Sequence, residues 1–498
     1  KKITVFADYD VDGGTSAAQL IRWGRGIGHD FGLYVPDRIK EGFGPTPQAF
    51  TTLKEDGVDL VITVDCGAAA TQALIHAASI ELDVIVIDHH LMDGGTPPCA
   101  ALVNPNQPDD HSGLGYLSAA GVTFMLLVAL NREARRRGLE TPDLLKFLDL
   151  TALGTVCDVM PLTGLNRVFV AQGMKVLENT PNPGLKALIE VANSEPPFTP
   201  YHAGFIIGPR INAGGRIGRA DMGARLLSSD DPAEISEFAR ILDQTNVERR
   251  AIQEDMLREA VDKIEGRELG HELICIAQEN WHAGIIGVVA GRLKDKYERP
   301  AIVIGIDETG IGKGSGRSLK GVNLGAAIQA AKQEGLLIAG GGHEMAAGLT
   351  IERDKIDDFT AFMNARLAQE IEIATQNLTT KIDALLSASG ATPELIAKIN
   401  SLGPFGTGNP EPVFVFPDMR ITYAKALNGG HIRCAFEDSG GQRISGIAFR
   451  AEDNGIADIL MHQDTARVHV VGRIKQDTWN GRTKIDLQVS DIALAASD

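Results

Sequence analysis

The sequence predicts an α/β protein: a parallel-sheet domain, a long connecting helix, a second α/β domain and a C-terminal β-barrel. Three observations predict it. Short β-branched runs alternate with helical stretches from residue 1 to about 110 and again from about 272 to 372, the order of a parallel sheet with helices on its faces. A long, highly charged helical stretch, 231–264, separates these regions. After about Thr379, short alternating segments joined by Gly-rich turns take over, as in a small all-β barrel or sandwich.

In the first region Ile3–Ala7 reads as a strand and runs into Asp8-Tyr9-Asp10-Val11-Asp12-Gly13. Thr15 is expected to cap a helix reaching about Arg25, followed by a strand over 31–35 and a helix over 48–55. The strand Leu60–Val64 runs into Asp65-Cys66-Gly67, and a helix is expected over 69–78. The strand Asp83–Ile87 runs into Asp88-His89-His90. From Ser118 to Thr155 the pattern is helical and ends in Val156-Cys157-Asp158, a further acid able to reach the same edge.

An Asp after a strand is usually a turn former or a helix N-cap. Three strand ends with the same acid or acid-plus-histidine chemistry argue instead for a site, because ligands of open α/β sheets bind at the carboxyl edge. Carboxylates crowded there repel one another and need cations. Carboxylate and imidazole without thiolate suit Mn²⁺ or Mg²⁺.

Further along, 180–200 is Pro-rich and is expected to break the pattern, and 208–216 reads as a glycine-rich loop carrying Arg210 and Asn212. In the second α/β region, strands are expected over 273–277 and 301–306, and helices over 285–296 and 324–334. Two more glycine-rich loops, 312–318 with Ser315 and Arg317 and 340–344 with His343, offer backbone N–H groups and charge to an anion. No Walker A pattern is present, which speaks against a nucleoside triphosphatase. Residues 402–410 form a rigid Gly/Pro turn, and five segments after it suggest an OB-like barrel. Phe405, Phe436, Phe449 and Trp479 are its candidate stacking aromatics.

At 498 residues, the chain has room for about three domains. Its 44% hydrophobic and 23% charged residues are an ordinary balance. The longest apolar run, 119–130, is too short to span a membrane and holds Thr123, so no membrane association is expected. Five scattered cysteines without a CxxC pattern suggest a reducing cytoplasm. The chain starts two residues before a core strand, so a preceding segment is expected. A net charge of −17 excludes a general nucleic-acid coat but leaves room for a nucleic-acid enzyme whose acids are cancelled by bound metal.

The motifs DYDVDG, VDCG, DHH and LGTVCDVMPL, in that order, resemble the DHH phosphoesterase superfamily, and GPRINAGGRIGRAD, GKGSGRS, GGGHEMAAGLT and LGPFGTGNPEPVF narrow the resemblance to its RecJ family. It covers essentially the whole chain. One departure is Phe6, which stands where some superfamily members carry a histidine. The resemblance implies a DHH domain over 1–200, an Arg/Gly segment and connecting helix over 201–268, a DHHA1 domain over 269–376 and an OB-like nucleic-acid-binding domain over 377–498.

The same resemblance implies two divalent ions, Mn²⁺ or Mg²⁺, on Asp8, Asp10, Asp12, Asp65, His89 and Asp158, with Asp65 bridging. It implies Arg38, Ser315 and Arg317 at a terminal phosphate, Arg210 and Asn212 near the scissile phosphate, and His343 facing the metals. His90 is a candidate proton donor to the leaving oxygen or a phosphate ligand, and His90, Asp65 and Arg210 form the implied catalytic set. The implied activity is two-metal hydrolysis of single-stranded DNA in the 5′→3′ direction, in repair and recombination, by a cytoplasmic monomer. Implied partners are single-stranded DNA with a 5′ end, a single-strand-binding protein and a RecQ-type helicase. The competing readings are a phosphodiesterase of short oligonucleotides or cyclic dinucleotides, and a non-catalytic nucleic-acid-binding relative.

Overall fold

Five short strands in the first part of the chain pair in parallel: β1 (Ile3–Ala7), β2 (Gly32–Tyr34), β3 (Leu60–Val64), β4 (Asp83–Ile87) and β5 (Ala101–Val103), in the order β2-β1-β3-β4-β5. The crossovers hold α1 (Val11–Gly26), α2 (Pro47–Glu55) and α3 (Thr71–Ser79). Strand alternation splits the core between the two faces. Val5 and Ala7 pack with Leu20, Ile21 and Leu127, whereas Phe6 packs with Phe50, Leu53 and Leu74. With both faces covered, the strands read as continuous apolar runs. The strand order reverses between β1 and β3, which opens the ligand crevice there. Ala7 pairs with Val64 and Val64 with Ile87, so the acids that follow all three strands leave the sheet level with one another.

The structure is a computed structural model and describes residues 1–38, 41–92, 95–265, 272–377, 379–451, 455–462, 467–479 and 482–495. The chain divides into two units, 1–251 with 404–410, and 252–403 with 411–498.

The sheet is followed by α4 (Ala119–Arg136), α5 (Leu148–Cys157), α6 (Gly164–Leu177), α7 (Pro183–Val191), α8 (Gly208–Ile217), α9 (Met222–Ser228) and α10 (Pro232–Ile264). Three local expectations are corrected here. Asp10, not Thr15, caps α1: its backbone is extended and its Oδ1 accepts from Asp12 N and Gly13 N at 2.9 and 3.1 Å, while Thr15 is buried inside the helix. The Pro-rich stretch contains a helix, α7, because Asn182 caps it, Pro183 suits its first turn, and Leu185 and Leu188 are buried. The segment expected as a glycine-rich loop is α8, preceded by a π-turn, His202–Ile207. Pro209 fits the first turn of α8, and buried Ile207 and Ile211 anchor that face. Gly215 lets the helix approach the loop after β1, since a Cβ there would lie 2.9 Å from Tyr9 O.

In the second unit β6 (Ile274–Glu279), β7 (Ala301–Ile306), β8 (Ile311–Arg317), β9 (Ala339–His343) and β10 (Ala346–Glu352) form one mixed sheet in the order β6-β7-β8-β10-β9, packed with α11 (Ile286–Tyr297), α12 (Leu324–Gln333) and α13 (Ile356–Gln376). The two expected glycine-rich loops are therefore strands β8 and β9. The spacing of two explains β8. Gly312, Gly314 and Gly316 all face inward, where a Cβ would come within 2.6–2.7 Å of Ile304, Leu349 and Leu324. Lys313, Ser315 and Arg317 alternate to the other face.

The last element group is β11 (Ala384–Leu385), α14 (Pro393–Asn400), β12 (Phe414–Leu427), β13 (His431–Glu437), β14 (Arg443–Ala448), α15 (Ile456–His462), β15 (Arg467–Trp479) and β16 (Arg482–Leu494). The order β12-β13-β14-β16-β15, with β12 also paired to β15, closes a five-stranded barrel. A parallel β14–β16 pair and bulges in β12 complete the OB-like topology.

Candidate metal and phosphate site

The carboxyl edge of the parallel sheet gathers Asp8, Asp10, Asp12, Asp65, His89, His90 and Asp158. Ligand atoms of Asp8, Asp10 and Asp65 lie within 4.8 Å of one another, as do those of Asp12, His89 and Asp158, and those of Asp65, His89 and His90. His89 is the hub: its Nε2 is 3.2 Å from Asp65 Oδ1, 3.5 Å from Asp158 Oδ2 and 3.9 Å from Asp12 Oδ2. Its Nδ1 donates to the Leu117 carbonyl at 3.1 Å, which fixes the tautomer and leaves the Nε2 lone pair facing the acids. Asp158 arrives from the C-terminal end of α5. Asp65 has φ +61°, a left-handed conformation stored where the chain turns into the site.

The electrostatics are those of crowded, buried carboxyls. Burial first, then Asp10, pushes the Asp12 carboxyl up to about 7. Burial and the neighbouring Asp12 push Asp158 to about 8, and burial with the surrounding acids raises Asp65 and Asp8 well above the usual range. Burial and His90 lower His89 to about 4, so it is neutral and free to ligate. Asp8 Oδ1 and His89 Nε2 are buried without hydrogen-bond partners. Orphaned ligand atoms, hard oxygens and neutral imidazole together fit divalent cations of the Mn²⁺ or Mg²⁺ kind.

Several contacts that organise the site carry no signal of their own in the sequence. Asp88 is an organiser: its Oδ1 accepts from His89 N, His90 N and His90 Nδ1 at 2.8, 3.1 and 2.7 Å, and its Oδ2 accepts from Ala68 N at 2.9 Å. Burial pushes its carboxyl up, but the hydrogen bonds and charge of His90 outweigh this and hold it below the usual range. The same bond raises the His90 pKa, against the opposing effect of burial. Asn104 Nδ2 donates to His90 O, and Asn106 Nδ2 to His89 O, at 2.9 and 2.6 Å. The Asn-Pro-Asn at 104–106 is legible as a turn, but not as the clamp on both histidines. Asp12 also accepts from Ala119 N and Ala120 N at the start of α4, which aims its carboxylate.

Among the other expected site residues, the Arg38 guanidinium lies 5.2 Å from the centre of the Tyr9 ring, beside the loop after β1. Asn212 Oδ1 accepts from Val11 N at 3.2 Å, so α8 touches the acidic loop directly. Arg210 donates to Asp243 Oδ1 at 2.8 Å and Ile206 O at 2.6 Å. Ser315, Arg317 and His343 belong to the second unit; there Arg317 Nη1 donates to Ser315 Oγ at 3.1 Å, and His343 is exposed on β9. Of the four candidate stacking aromatics, Phe436 is excluded: it sits at an inward position of β13 with no exposure. Phe405 falls in a segment of the first unit. Phe449 is 49% exposed and edge-on to His431. The Trp479 side chain lies outside the described residues.

Fold and site together define a DHH-type phosphoesterase scaffold carrying a second α/β unit and an OB-like barrel. Family models match in the same places: the N-terminal domain of the DHH family over residues 2–155, the DHHA1 domain over 270–369 and the RecJ OB domain over 382–491. The single-stranded-DNA-specific exonuclease RecJ of Salmonella typhimurium is 33% identical over 92% of this chain and 83% of its own length. That of Bacillus subtilis is 35% identical over 99% of this chain, which spans 62% of that relative's length. The crystal structure of RecJ in complex with Mn²⁺ from Thermus thermophilus matches all of this chain and 69% of its own, with TM-score 0.81 and 30% identity. The chain belongs to the RecJ family.

Proposed function

We propose that this chain is a metal-dependent exonuclease that degrades single-stranded DNA from the 5′ end and releases 5′-mononucleotides, in DNA repair and recombination. The carrying observation is the buried acid–imidazole cluster with two ligand atoms left unpartnered, set at the switch point of a parallel sheet. Asp8, Asp10, Asp12, Asp65, His89 and Asp158 would hold two divalent ions, and Asp65 would serve both. When bound, such ions supply an activated water and charge stabilisation for an in-line phosphoryl displacement.

This chain's own groups do the rest. His90, oriented by Asp88, which also raises its pKa, gives a proton to the leaving oxygen. In the first unit, Arg210 and Asn212 hold the backbone around the scissile phosphate and Arg38 takes the terminal phosphomonoester, whose extra charge distinguishes it from an internal diester; in the second unit, Ser315, Arg317 and His343 are phosphate-binding groups by their motifs. The barrel binds single-stranded DNA, with Phe449 as a stacking surface. By the same family membership we assign a single-strand-binding protein and a RecQ-type helicase as partners, a monomeric state and the cytoplasm as the place of action.

Oligonucleotides labelled at one end or the other, sized over time with Mn²⁺ or Mg²⁺, test this reading. The expected outcome is mononucleotides leaving first from a 5′-phosphorylated single strand, with blunt duplex resistant. Release from the 3′ end, or cuts in a circular single strand, would overturn the polarity. No cleavage at all would leave a binding protein.

A further inference from the structure

Residues 404–410 join α14 to β12, two elements of the second unit, yet the segment itself belongs to the first unit. It is closed on itself: Gly406 and Asn409 exchange backbone hydrogen bonds at 3.0 and 3.1 Å, and Asn409 Nδ2 donates to Pro404 O at 2.9 Å. This closed turn clamps residues 161–163. Leu162 N donates to Thr407 O at 2.7 Å. Gly408, at φ +73°, packs so closely that a Cβ would lie 2.9 Å from Pro161 Cβ, and one on Gly406 would lie 2.8 Å from Leu162 Cδ1.

The clamped stretch closely follows Asp158 in the chain. The next residue, Val159, is exposed, β-branched and at φ +58°. A β-branched residue in that region is strained by roughly 1–3 kcal/mol and persists only where its surroundings hold it. Asn166 holds one side, its Nδ2 donating to Pro161 O at 3.1 Å and Tyr116 O at 2.6 Å. The 404–410 turn holds the other.

We propose that residues 404–410 are a positioning latch for Asp158. By fixing 161–163 they enforce the left-handed turn at Val159, and that turn sets the direction of the Asp158 carboxylate toward His89 Nε2. Gly408 is the positioning residue, since nothing larger fits against Pro161 in that conformation. The inference rests on the reading of Asp158 as a metal ligand.

The test is Mn²⁺ binding to the whole chain without DNA, followed by the loss of the free-ion electron paramagnetic resonance signal. Four proteins are compared: wild type, Asp158→Ala, Gly408→Val and Gly441→Val. Gly441 is the matched control, a left-handed glycine at φ +76° in a barrel turn with nothing near its Cβ position. Asp158→Ala is expected to weaken Mn²⁺ binding. Gly408→Val is expected to weaken it roughly tenfold or more, the scale seen when groups supporting a ligand are lost, while Gly441→Val binds like wild type. Unchanged affinity in Asp158→Ala overturns the ligand reading. Weakened Asp158→Ala beside a folded, wild-type-like Gly408→Val, or equal loss in both glycine variants, overturns the latch. If Gly408→Val does not fold, Gly406→Val, which meets only Leu162, decides by the same criterion.

Discussion

The acidic edge of the first unit and the glycine strand of the second are both dense in motif residues, but the density has opposite physical meaning. At the acidic edge the motif side chains are the chemistry. They are buried and mutually repulsive, and two of their ligand atoms lack partners, so this region is costly until a cation enters. In β8 the glycines are the packing: they fill the space beneath Ile304, Leu349 and Leu324, and the side chains between them turn to the other face. A substitution at the acidic edge should therefore cost activity more than stability, and one among the glycines the reverse.

The largest effect is expected from Asp65→Ala. It removes the carboxylate proposed to serve both ions, and cleavage of single-stranded DNA should fall by several orders of magnitude, on the scale of losing a key catalytic group. Because the change also relieves like-charge repulsion, the metal-free melting temperature should not drop. Measurable wild-type-like turnover would break the comparison at its strongest point. Gly316→Val reverses the pattern. Overpacking against Leu324 should destabilise the chain by about 1–3 kcal/mol, read from denaturant melts, with Mn²⁺ affinity retained. The smallest effect belongs to Phe449→Ala on the barrel surface: about 1 kcal/mol or more of single-strand affinity at fixed salt, with Mn²⁺ affinity retained. An unchanged dissociation constant would remove Phe449 from the binding surface.

The acidic edge was largely legible in the sequence because a short strand rich in β-branched residues and followed by Asp leaves little choice of place. Parallel neighbours then bring Asp8, Asp65 and Asp88 level, with His89 next along the chain. What was not legible comes from contacts made at a distance. Asp88 looks like its neighbours in the motif, yet it spends both oxygens on His90 and backbone N–H groups rather than facing the cluster. Asn106 reaches His89 O from another strand end. Glycines mislead for a different reason: 208–216 reads as a loop, but close approach to Tyr9 O requires a glycine inside a helix. In 312–316 the spacing of two was present in the sequence and marks a strand whose inner face has no room for a Cβ.

The central claim is that the buried carboxyls are held together by divalent cations, and the melting temperature of the protein against pH, in EDTA and with Mn²⁺, tests it most directly. Asp12 at about 7 and Asp158 at about 8 are raised above their unfolded values, as are Asp8 and Asp65. A raised carboxyl favours the fold while protonated, and that contribution is lost as pH rises through the folded value. His89, lowered to about 4, works in the opposite sense only below its ordinary 6.5, and His90, raised by Asp88, adds to the loss. Between about pH 6.5 and 8 the metal-free protein should therefore melt at progressively lower temperature. Saturating Mn²⁺ should restore it, by about 2.7 kcal/mol at a hundred times the dissociation constant. A metal-free melting temperature that stays level or rises through that window, or one that Mn²⁺ leaves unmoved, would contradict the account.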